Sequence, residues 1–131
     1  MKLVLAKNNK IKEVKTQFSR YFPHLKLEFF DRQHGPGEGS TFDRKLGDST
    51  VLAAIAPPAA PLVFEFSPST TVAEFEQRMQ QEQGLPVQVF RKAGSIWLET
   101  VQTDNLSLEK QNEMGQRASR PASFNVYTLF L

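Results

Sequence analysis

Two stretches of the chain carry the same pattern of apolar residues. Leu3, Leu5, Ile11, Val14, Phe18, Leu25 and Leu27 form one series. Phe64, Phe66, Val72, Phe75, Met79, Val87 and Val89 form the other. Each runs from alternation to helical spacing and back to alternation, the trace of strand, helix and strand. Corresponding positions lie 61 residues apart through the first strand and the helix, and 62 apart in the closing strand. The expected fold class is α+β: two βαβ-type units forming one mixed sheet, with two main helices packed on one face. If both strands of a unit join the same sheet, the crossover between them is right-handed and parallel.

A chain of 131 residues suits one domain over 1–131. Unit one covers 1–56 and contains a Gly-rich loop at 32–45, unit two covers 61–115, and a C-terminal strand extension covers 116–131. Eleven Phe residues supply much of a core. The absence of Cys excludes disulfides, thiolate metal sites and Cys nucleophiles. Met1 to Ala6 hold only five apolar residues before Lys7, too few for a secretory apolar region, and no stretch reaches the length of a membrane span. A soluble, cytoplasmic protein without a membrane partner is expected. Net charge is +2, which gives no argument for nucleic acid, but residues 1–31 carry +4 and residues 61–99 carry −2.

Asn8-Asn9 offer a turn and an N-cap to a first helix from about Lys10 to Phe22, ended by Pro23. Leu25 to Phe30 alternate as a strand. Val51 to Ala56 read either as a short helix stopped by Pro57-Pro58 or as a buried strand. Thr71-Val72-Ala73-Glu74 is a capping box, and Gly84 is placed to end the second helix in a left-handed turn. Val87 to Arg91 and Ser95 to Thr100 form a hairpin around Lys92-Ala93-Gly94. Leu106 to Met114 suggest a further helix stopped by Gly115. Residues 116–122 read as a linker, and 123–131 as a last strand.

The run Phe64-Glu65-Phe66-Ser67-Pro68-Ser69-Thr70-Thr71-Val72, continuing through Ala73 to Pro86, resembles ubiquitin-like β-grasp domains over about 64–100. Those domains show the same strand, Pro-Ser-x-Thr, an aliphatic residue opening the helix and Gly-aliphatic-Pro closing it. The resemblance implies a β-grasp, with Val51–Ala56 as its first strand; a ferredoxin-like arrangement is the other option for two such units. Ubiquitin-like modifiers act through a C-terminal Gly-Gly, whereas this chain ends Tyr127-Thr128-Leu129-Phe130-Leu131, so the resemblance implies fold and not chemistry. Val87-Gln88-Val89-Phe90-Arg91-Lys92 with Trp97, and Leu108-Glu109-Lys110-Gln111-Asn112, also resemble a family of small bacterial proteins without an assigned function.

Catalytic motifs are missing. His24 and His34 are the two histidines, His24 at a helix end and His34 in the glycine loop. Without Cys or H-E-x-x-H they suggest no metal site. Gly35-Pro36-Gly37-Glu38-Gly39 fits a phosphate cradle poorly, since Pro36 removes a donor, Glu38 repels anions and no helix follows at once. No Gly-x-Ser-x-Gly elbow occurs, and Glu74, Glu76 and Glu82 read as solvated helical carboxylates. No catalytic residue and no cofactor are therefore expected.

Two surfaces remain. The polar face of the first helix carries a basic patch, Lys10, Lys12, Lys15 and Arg20, whose bland reading is a solvated face. The sheet face opposite the core (Leu3, Leu5, Leu25, Leu27, Phe64, Phe66, Val87, Val89, Ile96, Leu98) carries Val4, Phe30, Val63, Phe90 and Trp97 among Lys26, Glu28, Glu65, Gln88 and Glu99. Large apolar residues on a wet face call for a cover or a partner. Either residues 101–131 fold over them, or they form a binding or dimer surface anchored by Trp97 and Phe90. The expected function is a non-catalytic protein-interaction module, with an unidentified protein or a second copy as partner, acting through this face and the C-terminal strand. One alternative is a sheet that binds RNA or single-stranded nucleic acid, which Glu28, Glu65 and Glu99 disfavour. The other is a small enzyme with a site near the 33–40 loop.

Overall fold

The computed structural model describes residues 1–31 and 44–119. The glycine loop with His34, and the strand candidate at 123–131, lie outside the described residues. The elements are β1 (Lys2–Val4), α1 (Ile11–Tyr21), β2 (Leu25–Phe29), a 3₁₀ turn at Leu52–Ala54, β3 (Val63–Glu65), α2 (Val72–Gln83), β4 (Val87–Ala93), β5 (Ile96–Glu99), a 3₁₀ turn at Val101–Thr103 and α3 (Leu108–Ala118).

The class is α+β, but the strands do not share one mixed sheet. β1 pairs antiparallel with β3, and β2, β4 and β5 form a separate antiparallel sheet in that order. The register shows why. Leu3 faces Phe64 and Leu27 faces Val89, and both are pairs of repeat-equivalent residues. The backbone bonds obey the same exchange: Leu5 N–H donates to Leu62 C=O at 2.7 Å, and its equivalent Phe66 N–H donates to Met1 C=O at 3.0 Å. The two units meet like the subunits of a two-fold dimer, where self-pairing strands run antiparallel. Each unit then sends its two strands to different sheets, and no parallel crossover arises.

The repeat is longer than the apolar pattern shows. Ile11 N–H bonds Thr50 C=O at 2.8 Å, and Val72 N–H bonds Leu106 C=O at 3.0 Å. Leu52 N–H bonds Asn9 C=O, and Leu108 N–H bonds Thr70 C=O, each at 2.9 Å. The 3₁₀ turn after Val51 is thus the counterpart of α3. Val51 makes one bridge to Lys10, as Ser107 does to Thr71, so of the two readings of 51–56 the short helix holds, as one 3₁₀ turn, and the buried strand does not.

The N-cap of α1 is Lys10 and not Asn8 or Asn9. For α2 the cap is Thr71, whose hydroxyl accepts from Glu74 N–H at 3.1 Å. Gly84 ends α2 at φ +66°, a conformation glycine adopts without Cβ strain. Gly115 does not stop α3 but lies inside it: a Cβ there would come within 2.9 Å of His24 Cβ and C=O, so its lack of side chain lets the helix touch the start of β2. Residues 116–118 are helical and not a linker.

The core is one cluster holding Leu3, Leu5, Ile11, Val14, Phe18, Leu25, Leu27, Phe64, Phe66, Val72, Phe75, Met79, Val87 and Val89. Phe75 sits at its centre, with ring centroids 5.3 Å from Phe18, 5.5 Å from Phe64 and 5.2 Å from Phe66. Ile96 and Leu98 do not join it; they are 57 % and 38 % exposed, because β5 runs past the helices that cover β2 and β4. Among the described residues no helix is long and apolar enough to cross a membrane.

Candidate functional site

The hairpin β4–β5 turns on Gly94 and Ser95, one step later than expected, with Gly94 at φ +62°. It places Lys92 opposite Trp97 and Phe90 opposite Glu99. On β2, Lys26 lies opposite Phe90 and Glu28 opposite Gln88. Alternation brings Lys26, Glu28, Phe30, Gln88, Phe90, Trp97 and Glu99 to the face turned from the core. There a pocket of about 200 Å³ is lined by Lys26, Glu28, Phe30, Lys45, Phe90, Trp97 and Glu99.

The expected set of Val4, Phe30, Val63, Phe90 and Trp97 therefore divides. Phe30, Phe90 and Trp97 meet at the pocket, Phe30 being buried and Phe90 half-buried. Val4 and Val63 are exposed but face each other across β1 and β3, in the other sheet. A single sheet would set them beside the others; two sheets separate them.

Glu28 lines the pocket from β2 at 3 % exposure. Its carboxylate meets Lys15 Nζ at 2.7 Å, Lys45 Nζ at 3.1 Å and Lys26 Nζ at 3.3 Å. Desolvation pushes the Glu28 pKa up, but the hydrogen bonds from Lys15 and Lys45 outweigh it and hold the carboxyl below its usual range. Lys26 also sits over aromatic rings, 4.9 Å from the Trp97 centroid and 5.6 Å from that of Phe90. Gln88, opposite Glu28, is fully buried, and neither its amide oxygen nor its amide nitrogen has a hydrogen-bond partner among the described residues.

The basic patch also divides. Lys15 is not a solvated cation, since its ammonium bridges Glu28 and Asp48 at 2.7 Å each. Burial lowers its pKa, and those two bonds raise it by more. Lys10 is the cap residue of α1. Lys12 and Arg20 are exposed along a groove of about 400 Å³ that also holds Lys15, Thr16, Ser19, Lys26 and Asp48. His24 lies at the start of β2, its backbone N–H donating to Asn112 Oδ1 at 2.9 Å.

Glu76 is not the solvated helical carboxylate that its sequence suggests. Glu76 is 2 % exposed, and its carboxyl accepts from Val89 N–H at 2.7 Å. The signal was its position on α2, one turn from Val72 and from Met79 and so within the apolar sector. Burial, and the charges of Asp104 and Glu99, push its pKa up to about 8.

Among the described residues no group of three or more His, Asp or Glu side chains could hold a metal ion. The chain matches no protein-family model, and no match is found among curated proteins or among solved structures.

Proposed function

We propose that this chain is a non-catalytic interaction module that takes an extended polypeptide segment along β5, with the aromatic pocket beside it as a socket for one side chain. The observation that carries the reading is the exposure of β5. It is an edge strand paired only with β4 among the described residues, yet Ile96, Trp97 and Leu98 are all exposed on it. Apolar side chains on both faces of an unprotected edge are what a protein avoids unless another strand covers them. The alternation of the antiparallel ladder turns the N–H and C=O groups of Trp97 and Glu99 away from β4, free to bond a further strand. A second copy of the chain is the simplest occupant.

Sedimentation at rising protein concentration tests this. Self-association through β5 is expected to be lost in Glu99→Pro, which removes an outward N–H and leaves the β4 ladder intact, and weakened about tenfold or more in Trp97→Ala or Phe90→Ala, with circular dichroism unchanged. Association equal in all four proteins would remove the reading. With no self-association, amide exchange in the presence of strand-forming peptides reads the same edge through protection of Trp97 and Glu99.

A second reading has one observation behind it. Lys26 belongs both to the aromatic pocket and to the basic groove of Lys12 and Arg20, joining stacking surfaces to cations as single-stranded nucleic-acid sites do. Against it, Lys15 and Lys26 are already engaged by Glu28. Titration with single-stranded RNA at two salt concentrations separates the two, because phosphate contacts make binding fall steeply with salt.

A further inference from the structure

Where β5 ends, the sheet lacks a rung. The register that sets Phe90 opposite Glu99 would next set Val89 opposite Thr100. Thr100 instead turns away, at φ −96° and ψ 23°. A regular ladder would have satisfied both polar groups of Val89 with the Thr100 backbone. Two side chains do so in its place: the Thr100 hydroxyl donates to Val89 C=O at 2.9 Å, and the Glu76 carboxyl accepts from Val89 N–H at 2.7 Å. Both side chains are buried. The rung that ties α2 to β4 at the foot of β5 is therefore made partly by an ionisable group.

The repeat shows that this is a choice and not a requirement of the fold. Glu76 is the counterpart of Lys15, and Asp104 is the counterpart of Asp48. Asp48 C=O accepts from Lys12 N–H at 3.1 Å, as Asp104 C=O accepts from Ala73 N–H at 2.7 Å. In unit one the aspartate meets a lysine, in a bond of 2.7 Å. In unit two the aspartate stands near a carboxyl. Among the described residues the charges that act on Glu76 are those of Asp104, from the turn before α3, and Glu99, from β5, which oppose its ionisation; the bond from Val89 N–H favours it but is outweighed by burial. Its neighbours one turn away on α2 (Val72, Ala73, Met79, Gln80) and on β4 (Val87, Gln88, Val89) are uncharged.

We propose that Glu76 is a proton-operated latch on the β4–β5 hairpin: protonated, it holds the foot of β5 closed on α2, and ionised, it draws water into the corner and loosens the edge strand. An ionised carboxylate in this place faces two like charges in a site without solvent. The Val89 N–H bond favours the charge but does not outweigh burial, so the carboxylate regains hydration only by opening the corner beside Thr100. If the reading of β5 as the recognition edge holds, on which the functional consequence rests, partner binding weakens as pH rises through the latch.

The test uses the free full-length chain and needs no partner. Trp97 is the one tryptophan, so its fluorescence reports β5 alone. Between pH 6.5 and 9.5 the wild type is expected to show one transition with a midpoint of about 8. Glu76→Gln keeps an acceptor for Val89 N–H and should abolish the transition. Asp104→Asn removes one opposing charge and should move the midpoint to lower pH, which carries the test if Glu76→Gln fails to fold. Glu74→Gln, on the exposed side of the same helix, should leave the midpoint in place. No transition in the wild type, the same transition in Glu76→Gln, or an unmoved midpoint in Asp104→Asn would each overturn the latch. None of these outcomes bears on whether β5 docks a strand, which sedimentation reads separately.

Discussion

Unit one and unit two share a backbone plan and differ in how they fasten it. In unit one the helix is tied to the sheet by Lys15, whose ammonium joins Glu28 and Asp48. In unit two the equivalent helix position is Glu76, which has lost the opposite charge and bonds the strand backbone instead. Among the described residues unit one follows its second strand with the bridge of Phe30 to Lys45 and the 3₁₀ turn at Leu52–Ala54. Unit two follows its own with a full edge strand and α3. The core tolerates this divergence because the apolar positions stay equivalent while the polar seams change. The fold resides in the seven-residue apolar series of each unit, and whatever is specific to this chain resides in the seams.

The largest expected effect probes whether the units are separable. Phe75 joins Phe18 of unit one to Phe64 and Phe66 of unit two. Phe75→Ala should cost about 3–5 kcal/mol and leave a single unfolding transition in urea, because the cavity opens at the shared centre. Val14→Ala, at the equivalent position, removes fewer atoms and should cost about 1–3 kcal/mol, again in a single transition. Two transitions in either variant would break the picture of one core closed by two-fold pairing.

Acid and base should act on the two seams in opposite senses. Glu28 is held below its usual pKa, so the stability it contributes is present above about 4.5 and lost as pH falls through its folded value. Glu76 is raised from 4.5 to about 8. Its proton is retained on folding, so its contribution is full below 4.5, falls by about 1.4 kcal/mol per pH unit between the two values, and is gone above 8. Urea unfolding at several pH values should give a maximum at mildly acidic pH. The alkaline slope should flatten in Glu76→Gln and the acid slope in Glu28→Gln. A wild-type profile level from pH 5 to 8 would contradict the assignment of Glu76.

How much of this was legible in the sequence follows from what alternation and helical spacing encode. They report which face of an element is buried, so α1, α2 and the core of Leu3, Phe18, Phe64, Phe75 and Val89 could be read directly. They do not report which strand lies beside which. A parallel crossover within a unit and an antiparallel exchange between units bury the same residues, and only the register of Leu3 on Phe64 distinguishes them. Phe30, Phe90 and Trp97 come together as the alternation predicts because β2, β4 and β5 are neighbours. Val4 and Val63 do not join them, because β1 and β3 pair with each other in the other sheet. Charged residues were the hardest: Lys15 and Glu76 look like solvated helix positions until tertiary partners, Asp48 for one and the Val89 backbone for the other, come into view.

A smaller effect concerns α3, whose counterpart in unit one is the 3₁₀ turn at Leu52–Ala54. Gly115 lies against His24, and an added Cβ would meet His24 Cβ and C=O at 2.9 Å. Gly115→Ala gains about 0.8–1 kcal/mol of helix propensity but overpacks a contact made partly by backbone, for a net loss of about 1–2 kcal/mol in urea unfolding. An unchanged or raised stability would mean that α3 can shift, and that its seat on β2 and β4 is looser than the bonds from His24 to Asn112 and from Arg91 to Gln111 imply.

The smallest effects separate cations that hold the fold from cations available to a ligand. Lys15→Met removes the closest partner of Glu28, whose side chain is 4 % exposed, while leaving Lys26 and Lys45 in place. A cost of about 1–2 kcal/mol is expected, below that of a buried pair broken completely, because two cations remain to compensate the carboxylate. Lys12→Gln and Arg20→Gln alter exposed side chains and should change stability by no more than about 0.5 kcal/mol. If single-stranded RNA binds the groove, these two substitutions weaken it and reduce its salt dependence, whereas Lys15→Met acts chiefly on stability. Equal effects of all three on stability would mean that the ion pairs around Glu28 are solvated in solution, and that the seam of unit one is no tighter than its surface.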